Sequence, residues 1–313
     1  MKNTMLCLLL LLFSTQTIWS QAVQKSAHFE RNIQNGTEKV HVMSYNILNG
    51  FDGLKDTERK DRFVQWIIEQ DPEVLALQEL VGIDAKELQA IAKTYGHPYA
   101  VILKENGYPV GLTSKKPIEL KNRVTTDYWH GMLHCKTYGI DFVVVHLSPA
   151  DWRYRLREAK QITKYMEQNK LDRCMVMGDF NAHSPLDAGW LEEQSDLMVK
   201  LAVNDAKSEK YKNMNNAQFD YGTISTFLSY PLIDVCHKYV SPAERGTFPS
   251  RVLAHWSKND YRFSKLQERI DFILVTESLQ KDCVDAQIYN KADTDYLSDH
   301  YPIGIDIMLP SNK

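Results

Sequence analysis

Cys174-Met175-Val176-Met177-Gly178-Asp179-Phe180-Asn181 is the stretch whose reading decides the rest of the chain. Its first four residues make a short apolar run of the kind that forms a buried strand. Gly178 interrupts the run, and Asp179 and Asn181 follow at once. Side chains two apart on a strand share a face, so a carboxylate and a carboxamide emerge side by side where the strand ends. Sheets that carry chemistry usually carry it there. Gly, Asp and Asn are also the commonest turn residues, and taken alone the stretch is equally a turn. Other strand ends in the chain tip the balance, because they carry the same kind of polar group.

Upstream, alternation over residues 40–46 predicts a strand ending at Asn46, followed by a loop at Asn49, Gly50, Asp52 and Gly53. A helix is expected over 56–70, with Phe63, Trp66 and Ile67 on one face and Asp71-Pro72 as its stop. The apolar run 74–77 delivers Gln78 and Glu79. Asp84 and Glu87 stand at capping-box spacing and open a helix that carries Leu88, Ile91 and Ala92 inward. Residues 99–103 and 110–113 read as strands around Asn106-Gly107, and 132–147 as a hairpin turning at Tyr138-Gly139 whose second strand delivers His146.

Next comes a helix over 151–168 with Trp152, Leu156, Ala159, Ile162 and Met166 as its core stripe. Arg153, Arg155 and Arg157 near its start read as a solvated face. Helices are expected around 186–203 and 221–229, with an exposed loop at Asn213 to Asn216. Residues 270–275 make another buried strand, opened by Arg269 and Asp271, and Asp299-His300 precede a last strand at 303–308. No repeat or linker divides residues 39–310, which read as one catalytic domain.

With 313 residues, 43% hydrophobic and 25% charged, the chain can bury a large core, and it has no disordered character. Its formal charge of −3 gives no basic excess of the kind that advertises nucleic acid. Lys2 and the apolar run 5–13 fit a secretory signal peptide over residues 1–20, too short to span a bilayer. Residues 21–38 are a polar lead-in. Export to the periplasm or medium is the expectation, with no transmembrane segment in the mature chain and no stable protein partner implied. Cys135, Cys174, Cys236 and Cys283 are widely spaced. An exported protein could pair them, but Cys174 and Cys236 sit among apolar neighbours that suit buried thiols. The lack of any Cys-x-x-Cys argues against a zinc or redox site.

The polar strand ends are Asn46, Glu79, His146, Asp179, Asn181, Asp271, Asp299 and His300. Each alone has an ordinary explanation as a turn, a cap or a core histidine. Together they are harder to dismiss, since an ionised carboxylate at the end of a buried run is costly unless paired or metal-bound. Oxygen ligands without thiolates (Asn46, Glu79, Asp299) suit Mg²⁺ or Mn²⁺ better than zinc. Histidines and spare carboxylates suit hydrolysis by water. The phosphate-binding Gly-x-x-x-x-Gly-Lys loop, the Gly-x-Ser-x-Gly elbow, the His-Glu-x-x-His helix and the dinucleotide fingerprint are all absent.

In this order, Ser44-Tyr45-Asn46-Ile47, Leu77-Gln78-Glu79, Val145-His146-Leu147, Gly178-Asp179-Phe180-Asn181, Arg269-Ile270-Asp271-Phe272 and Ser298-Asp299-His300-Tyr301-Pro302 resemble the endonuclease/exonuclease/phosphatase family, the DNase I-like enzymes. The resemblance implies an α+β fold, a four-layer α/β/β/α sandwich with two mostly antiparallel sheets face to face and helices outside. It implies a metal-dependent phosphoric ester hydrolase, with Glu79, Asn46 and Asp299 at the metal. Asp179 would deprotonate or orient the attacking water, and Asn181 would hold that water or a phosphoryl oxygen. His300 would contact the scissile phosphate, Asp271 would fix its tautomer and charge, and His146 would be a candidate acid for the leaving oxygen.

A further Arg or Tyr that touches phosphate in the family's nucleases has no clear match here. Tyr128 and Arg157 are the candidates, and Lys115 stands where Arg is common. The substrate stays open between nucleic acid, a lipid headgroup and an inositol phosphate. The reading is a phosphodiesterase, with nuclease as one form of it. The alternatives are a phosphomonoesterase, a phospholipase C-like enzyme and, in another class, a binding module. A basic, aromatic-lined groove for a nucleic acid could be built from Lys121, Arg123, Trp129, His130, Arg245, Arg251, Trp256 and Lys258.

Overall fold

The structure is a computed structural model, and it describes residues 36–311. The expected signal peptide and nearly all of the lead-in lie outside the described residues. Two compact units are distinguished. Among the described residues the first comprises 36–40 and 307–311, and in it the Ser311 N–H donates to Gly36 O. The second, His41–Asp306, holds every residue of the candidate site.

The strands are β1 (Thr37–Asn46), β2 (Val74–Gln78), β3 (Tyr99–Ile102), β4 (Gly111–Ser114), β5 (Glu119–Val124), β6 (Met132–Thr137), β7 (Ile140–His146), β8 (Cys174–Asp179), β9 (Met214–Asn215), β10 (Gln218–Phe219), β11 (Leu232–Asp234), β12 (Asp271–Thr276), β13 (Cys283–Ile288) and β14 (Ile303–Pro310). They build two six-stranded sheets, ordered β13-β14-β1-β2-β4-β3 and β11-β12-β8-β7-β6-β5, plus the small β9–β10 ribbon. Most pairs whose register is defined are antiparallel, and β1–β2 and β7–β8 are parallel. The sheets pack on each other through β2 and β4 on one side and β6, β7 and β8 on the other.

Helices α1 (Thr57–Gln70) and α2 (Ala85–Thr94) cover the first sheet, where Phe63, Trp66, Ile67, Leu88 and Ala92 pack with Tyr45, Leu75 and Leu77. Helices α3 (Trp152–Gln168) and α5 (Gly222–Ser229) cover the second, through Ala159, Ile162, Met166, Ile224 and Phe227. This is the expected four-layer sandwich. Burying whole apolar stripes on both outer faces is what fixes the order of the layers. The Asp84–Glu87 box expected from the sequence is present, and aspartates also cap two other helices. Asp56 accepts from Arg59 N, Asp84 and Glu87 form the reciprocal box, and Asp151 accepts from Arg153 N.

Several expectations are corrected. Residues 186–203 do not form one helix. The short turn Ala188–Glu192 ends first, and α4 (Ser195–Lys207) starts afresh beyond the buried Gln194. The loop at Asn213 to Asn216 is half of the β9–β10 ribbon. Strands β5, β11 and β13 were not foreseen. Of the three arginines read as a solvated face, Arg155 is buried at 2% exposure. Its guanidinium donates to Ser148 O and Asn213 Oδ1. All four described cysteines are free and buried, so the pairing alternative is not realised. No described helix is long and apolar enough to cross a membrane.

The loop expected at 49–53 is more ordered than predicted. Residues Leu48–Leu54 wind left-handed, with φ from 50° at Leu48 to 67° at Leu54. L-residues resist this conformation at about 1–2 kcal/mol each, so something must hold it. Arg59 does so: its guanidinium donates to Ile47 O, Leu48 O and Leu297 O and lies over the Phe51 ring.

Candidate active site

Register alone brings the polar strand ends together. In the second sheet His146 pairs with Asp179 across the parallel β7–β8 ladder, and Asp271 pairs with Asp179 across β12–β8. In the first, Asn46 pairs with Gln78, next to Glu79. Sheet packing then faces the two sets. Asn46 Nδ2 donates to Asp179 Oδ2 at 3.0 Å and approaches Glu79 Oε1 at 3.3 Å, so one carboxamide ties both sheets' carboxylates. Gly178 is required by this geometry. Its φ is +139°, and a Cβ there would stand 1.9 Å from Val145 O.

Asp179 is 1% exposed. Its Oδ1 accepts from the Asn181 N–H at 2.9 Å. Its Oδ2 lies 3.4 Å from His146 Nε2 and 3.7 Å from His300 Nε2. Burial pushes this carboxyl well up from its usual range; the His300 charge opposes the shift and the Asp271 charge adds to it. His300 Nδ1 donates to Asp271 Oδ2 at 2.9 Å. Burial works against a charged His300, but Asp271 and Asp179 outweigh it and hold the ring well above the usual histidine range. His300 is thus the cationic partner of Asp271, and Asp179 carries a carboxyl of raised basicity between the two histidines. Asn181 and Glu79 both stand in the left-handed region, at φ 48° and 60°. Strain of that kind is tolerated where the surroundings over-determine it, as at functional sites.

His146 is buried against the Asp179 carboxylate. Burial, then the neighbouring His130, pushes it down to about 3, so its ring is neutral, and its Nδ1 has no partner. His130 stacks on it with ring centroids 4.3 Å apart, and burial brings His130 down to about 4. The sequence reading named His130 only as a groove residue. The signal for its place was the hairpin register, in which Met132 opposes Val145 and so carries His130 back to His146.

Asn46 touches Glu79, and Asp299 is tied to Asn46 through Ser298. Ser298 Oγ donates to Asn46 O at 2.6 Å and to Asp299 Oδ1 at 3.3 Å, and Glu79 Oε2 accepts from Asn49 N at 2.8 Å. Glu79 and Asp299 are both partly buried, and neither has a Lys or Arg ion-pair partner among the described residues. Two uncompensated carboxylates beside a carboxamide fit a hard divalent cation. Asp179, Asp271 and His300 also converge, with ligand atoms within 4.8 Å of one another. There the imidazole is committed to its carboxylates, so this trio suits proton holding better than metal binding.

Tyr128 and Arg157 are not brought in. Tyr128 packs against the core cluster under α3, and Arg157 is exposed with its guanidinium over the Tyr154 ring. The foreseen basic groove is also revised. Arg245 is buried in a pair with Asp187, Arg123 donates to Ile102 O, and Arg251 pairs with Asp260. Arg269 is likewise internal, bound to Asp187 and Asp234.

The sequence profile of the Endonuclease/Exonuclease/phosphatase family matches residues 43–300. The chain belongs to this family. No curated protein sequence matches it. Among solved structures, an AP endonuclease from Archaeoglobus fulgidus superposes with a TM-score of 0.61 at 20% identity, covering 85% of this chain and 98% of that one. The 3' phosphatase NExo from Neisseria, bound to a product DNA hairpin, gives 0.60 at 18% identity, covering 86% and 99%. The 3'-5' exonuclease NExo from Neisseria meningitidis gives 0.59 at 17%, covering 86% and 99%. At these identities the likeness establishes the fold, which is the DNase I-like sandwich of the family.

Proposed function

We propose that this family member is a divalent-metal-dependent phosphoesterase that breaks phosphodiester bonds by attack of water at phosphorus. The observation that carries the reading is the buried Asp179 carboxylate, fixed from the facing sheet by Asn46 and set between His146 and His300. Burial raises its basicity towards neutral pH, which is what a general base needs. Asp179 takes the proton of the attacking water, and Asn181 helps to hold that water in line. The His300 imidazolium, kept charged by Asp271, faces the charge that develops on a non-bridging oxygen. His146 supports the departing oxygen as a neutral N–H donor, stacked in place by His130. A divalent cation bound by Glu79 and Asp299, with Asn46 beside them, would supply Lewis-acid stabilisation of the same charge.

Mg²⁺ or Mn²⁺ is the ion that this donor set supports. The substrate is a phosphate ester, and the product DNA hairpin held by the similar 3' phosphatase favours a nucleotide-containing one. Export belongs to the same proposal and rests on the apolar run at residues 5–13 behind Lys2. A second reading, a phosphomonoesterase, draws support from the 3' phosphatase among the similar structures.

Hydrolysis of bis(p-nitrophenyl) phosphate and p-nitrophenyl phosphate in Mg²⁺, Mn²⁺ and EDTA tests this. The expected result is cleavage of the diester that disappears in EDTA and returns with Mn²⁺. Cleavage of the monoester alone would move the assignment to a phosphatase, and turnover indifferent to EDTA would overturn it.

A further inference from the structure

Beside the catalytic group opens a cleft of about 270 Å³, with Asn181 and His300 in its wall. Two cationic side chains line it further out: Arg155 from α3 and Lys200 from α4. Among the described residues, neither forms an ion pair with a carboxylate. Arg155 is 2% exposed, its Nη1 is used by Ser148 O and Asn213 Oδ1, and its Nε has no partner. Burial pulls it below the usual arginine range, to about 10, and Asp220, Glu158, Asp151 and Glu268 offset this only in part and through space, none of them in contact with the guanidinium. Glu268, the carboxylate that lines the cleft, is bound by His183 Nε2 at 2.7 Å.

A buried guanidinium with no carboxylate in contact is costly, and an anion in the cleft would supply that contact. The fork of an arginine and the point charge of a lysine are the two side chains that proteins use for phosphate. Trp256 and Phe248 form the apolar side of the cleft. Lys200 Nζ lies over the Trp256 ring, and the Phe248 ring centroid is 4.8 Å from that of His300.

We propose that this cleft is a second anion subsite, in which Lys200 and Arg155 bind a phosphate group that the substrate carries next to the one being cleaved. The inference rests on the phosphoesterase reading for the first phosphate. The shared chemistry is a vicinal or near-neighbour phosphate, and it could come from a nucleotide strand or from a phosphorylated inositol ring.

The test is calorimetric binding to the full chain in EDTA, so that no metal-dependent turnover intervenes. Thymidine 3',5'-bisphosphate is compared with thymidine 5'-phosphate, and inositol 1,4-bisphosphate with inositol 1-phosphate. In one of the pairs the bisphosphate is expected to bind at least ~10-fold tighter, about 1.4 kcal/mol. The pair that shows the gap identifies the source. Lys200→Ala is expected to abolish most of the gap with an unchanged melting temperature, and Lys200→Arg to retain it. Equal affinities within both pairs, or a gap that survives Lys200→Ala, would overturn the subsite. The phosphoesterase reading stands or falls separately, on hydrolysis of the nitrophenyl esters.

Discussion

Asp179→Asn is expected to lower turnover of a phosphodiester by on the order of 10²–10⁴-fold while the chain remains folded. The substitution keeps the shape of the side chain. Its one carbonyl oxygen can still accept from the Asn181 N–H, which Asp179 Oδ1 now does at 2.9 Å. What is lost is the base, and with it one of the two carboxylates that keep His300 charged. Stability should not fall in parallel. Burial already disfavours the ionised form of Asp179, so a neutral amide relieves part of that cost, offset by the donor-to-donor approach of Asn46 Nδ2. Rate constants and thermal melts on the same preparations check this. A variant that melts normally and keeps more than about a tenth of the wild-type rate would remove Asp179 from the base role.

The largest stability effect is expected at Arg269, two residues before Asp271. Arg269 is 1% exposed. Its Nε donates to Asp187 Oδ2 at 2.6 Å, and its Nη1 and Nη2 donate to Asp234 Oδ1 and Oδ2 at 3.1 and 2.6 Å. Those charges hold it above the usual arginine range in spite of burial. Arg269→Met keeps much of the volume but strands Asp234, which is 4% exposed, while Asp187 retains Arg245. Breaking one side of such a pair costs about 3–5 kcal/mol, most of it from the charge left behind. Urea unfolding should report a loss of that size, and adding Asp234→Asn should recover a substantial part of it. A loss below about 1 kcal/mol, or no recovery in the double variant, would show that the network contributes little.

The two predictions mark different limits of what the sequence discloses. Asp179 was legible because Gly178 cuts an apolar run at a fixed place and period-2 geometry does the rest. The same logic delivered Asn46, Glu79, His146 and Asp271, and the Asp84–Glu87 capping box marked the start of the helix after Glu79. These are local signals. Arg155, Arg245 and Arg269 were not legible as buried groups. A charged side chain near a helix start or loop looks solvated until distant partners are known, and Asp187 and Asp234 come from elements with weak patterns of their own.

β5 was missed because it is an edge strand with an almost wholly exposed face, so no alternation marks it. β11 was missed because three residues carry no period. The left-handed winding of Leu48–Leu54 depends on Arg59 reaching back to Ile47 O and Leu48 O, a tertiary contact that propensity does not register. His130 lies between these cases. The hairpin turn at Tyr138-Gly139 already fixed its distance from His146, but the register had to be counted through to the end of the strand.

The central claim is that a water molecule, deprotonated at Asp179, attacks phosphorus. Hydrolysis of bis(p-nitrophenyl) phosphate with Mn²⁺ in ¹⁸O-enriched water tests it most directly, with the products examined by mass spectrometry and the protein examined after a single turnover. The account predicts one solvent oxygen on the p-nitrophenyl phosphate product, none on the p-nitrophenol, and no phosphoryl group on the protein. Label on the phenol, or a phosphorylated His146 or His300, would contradict it.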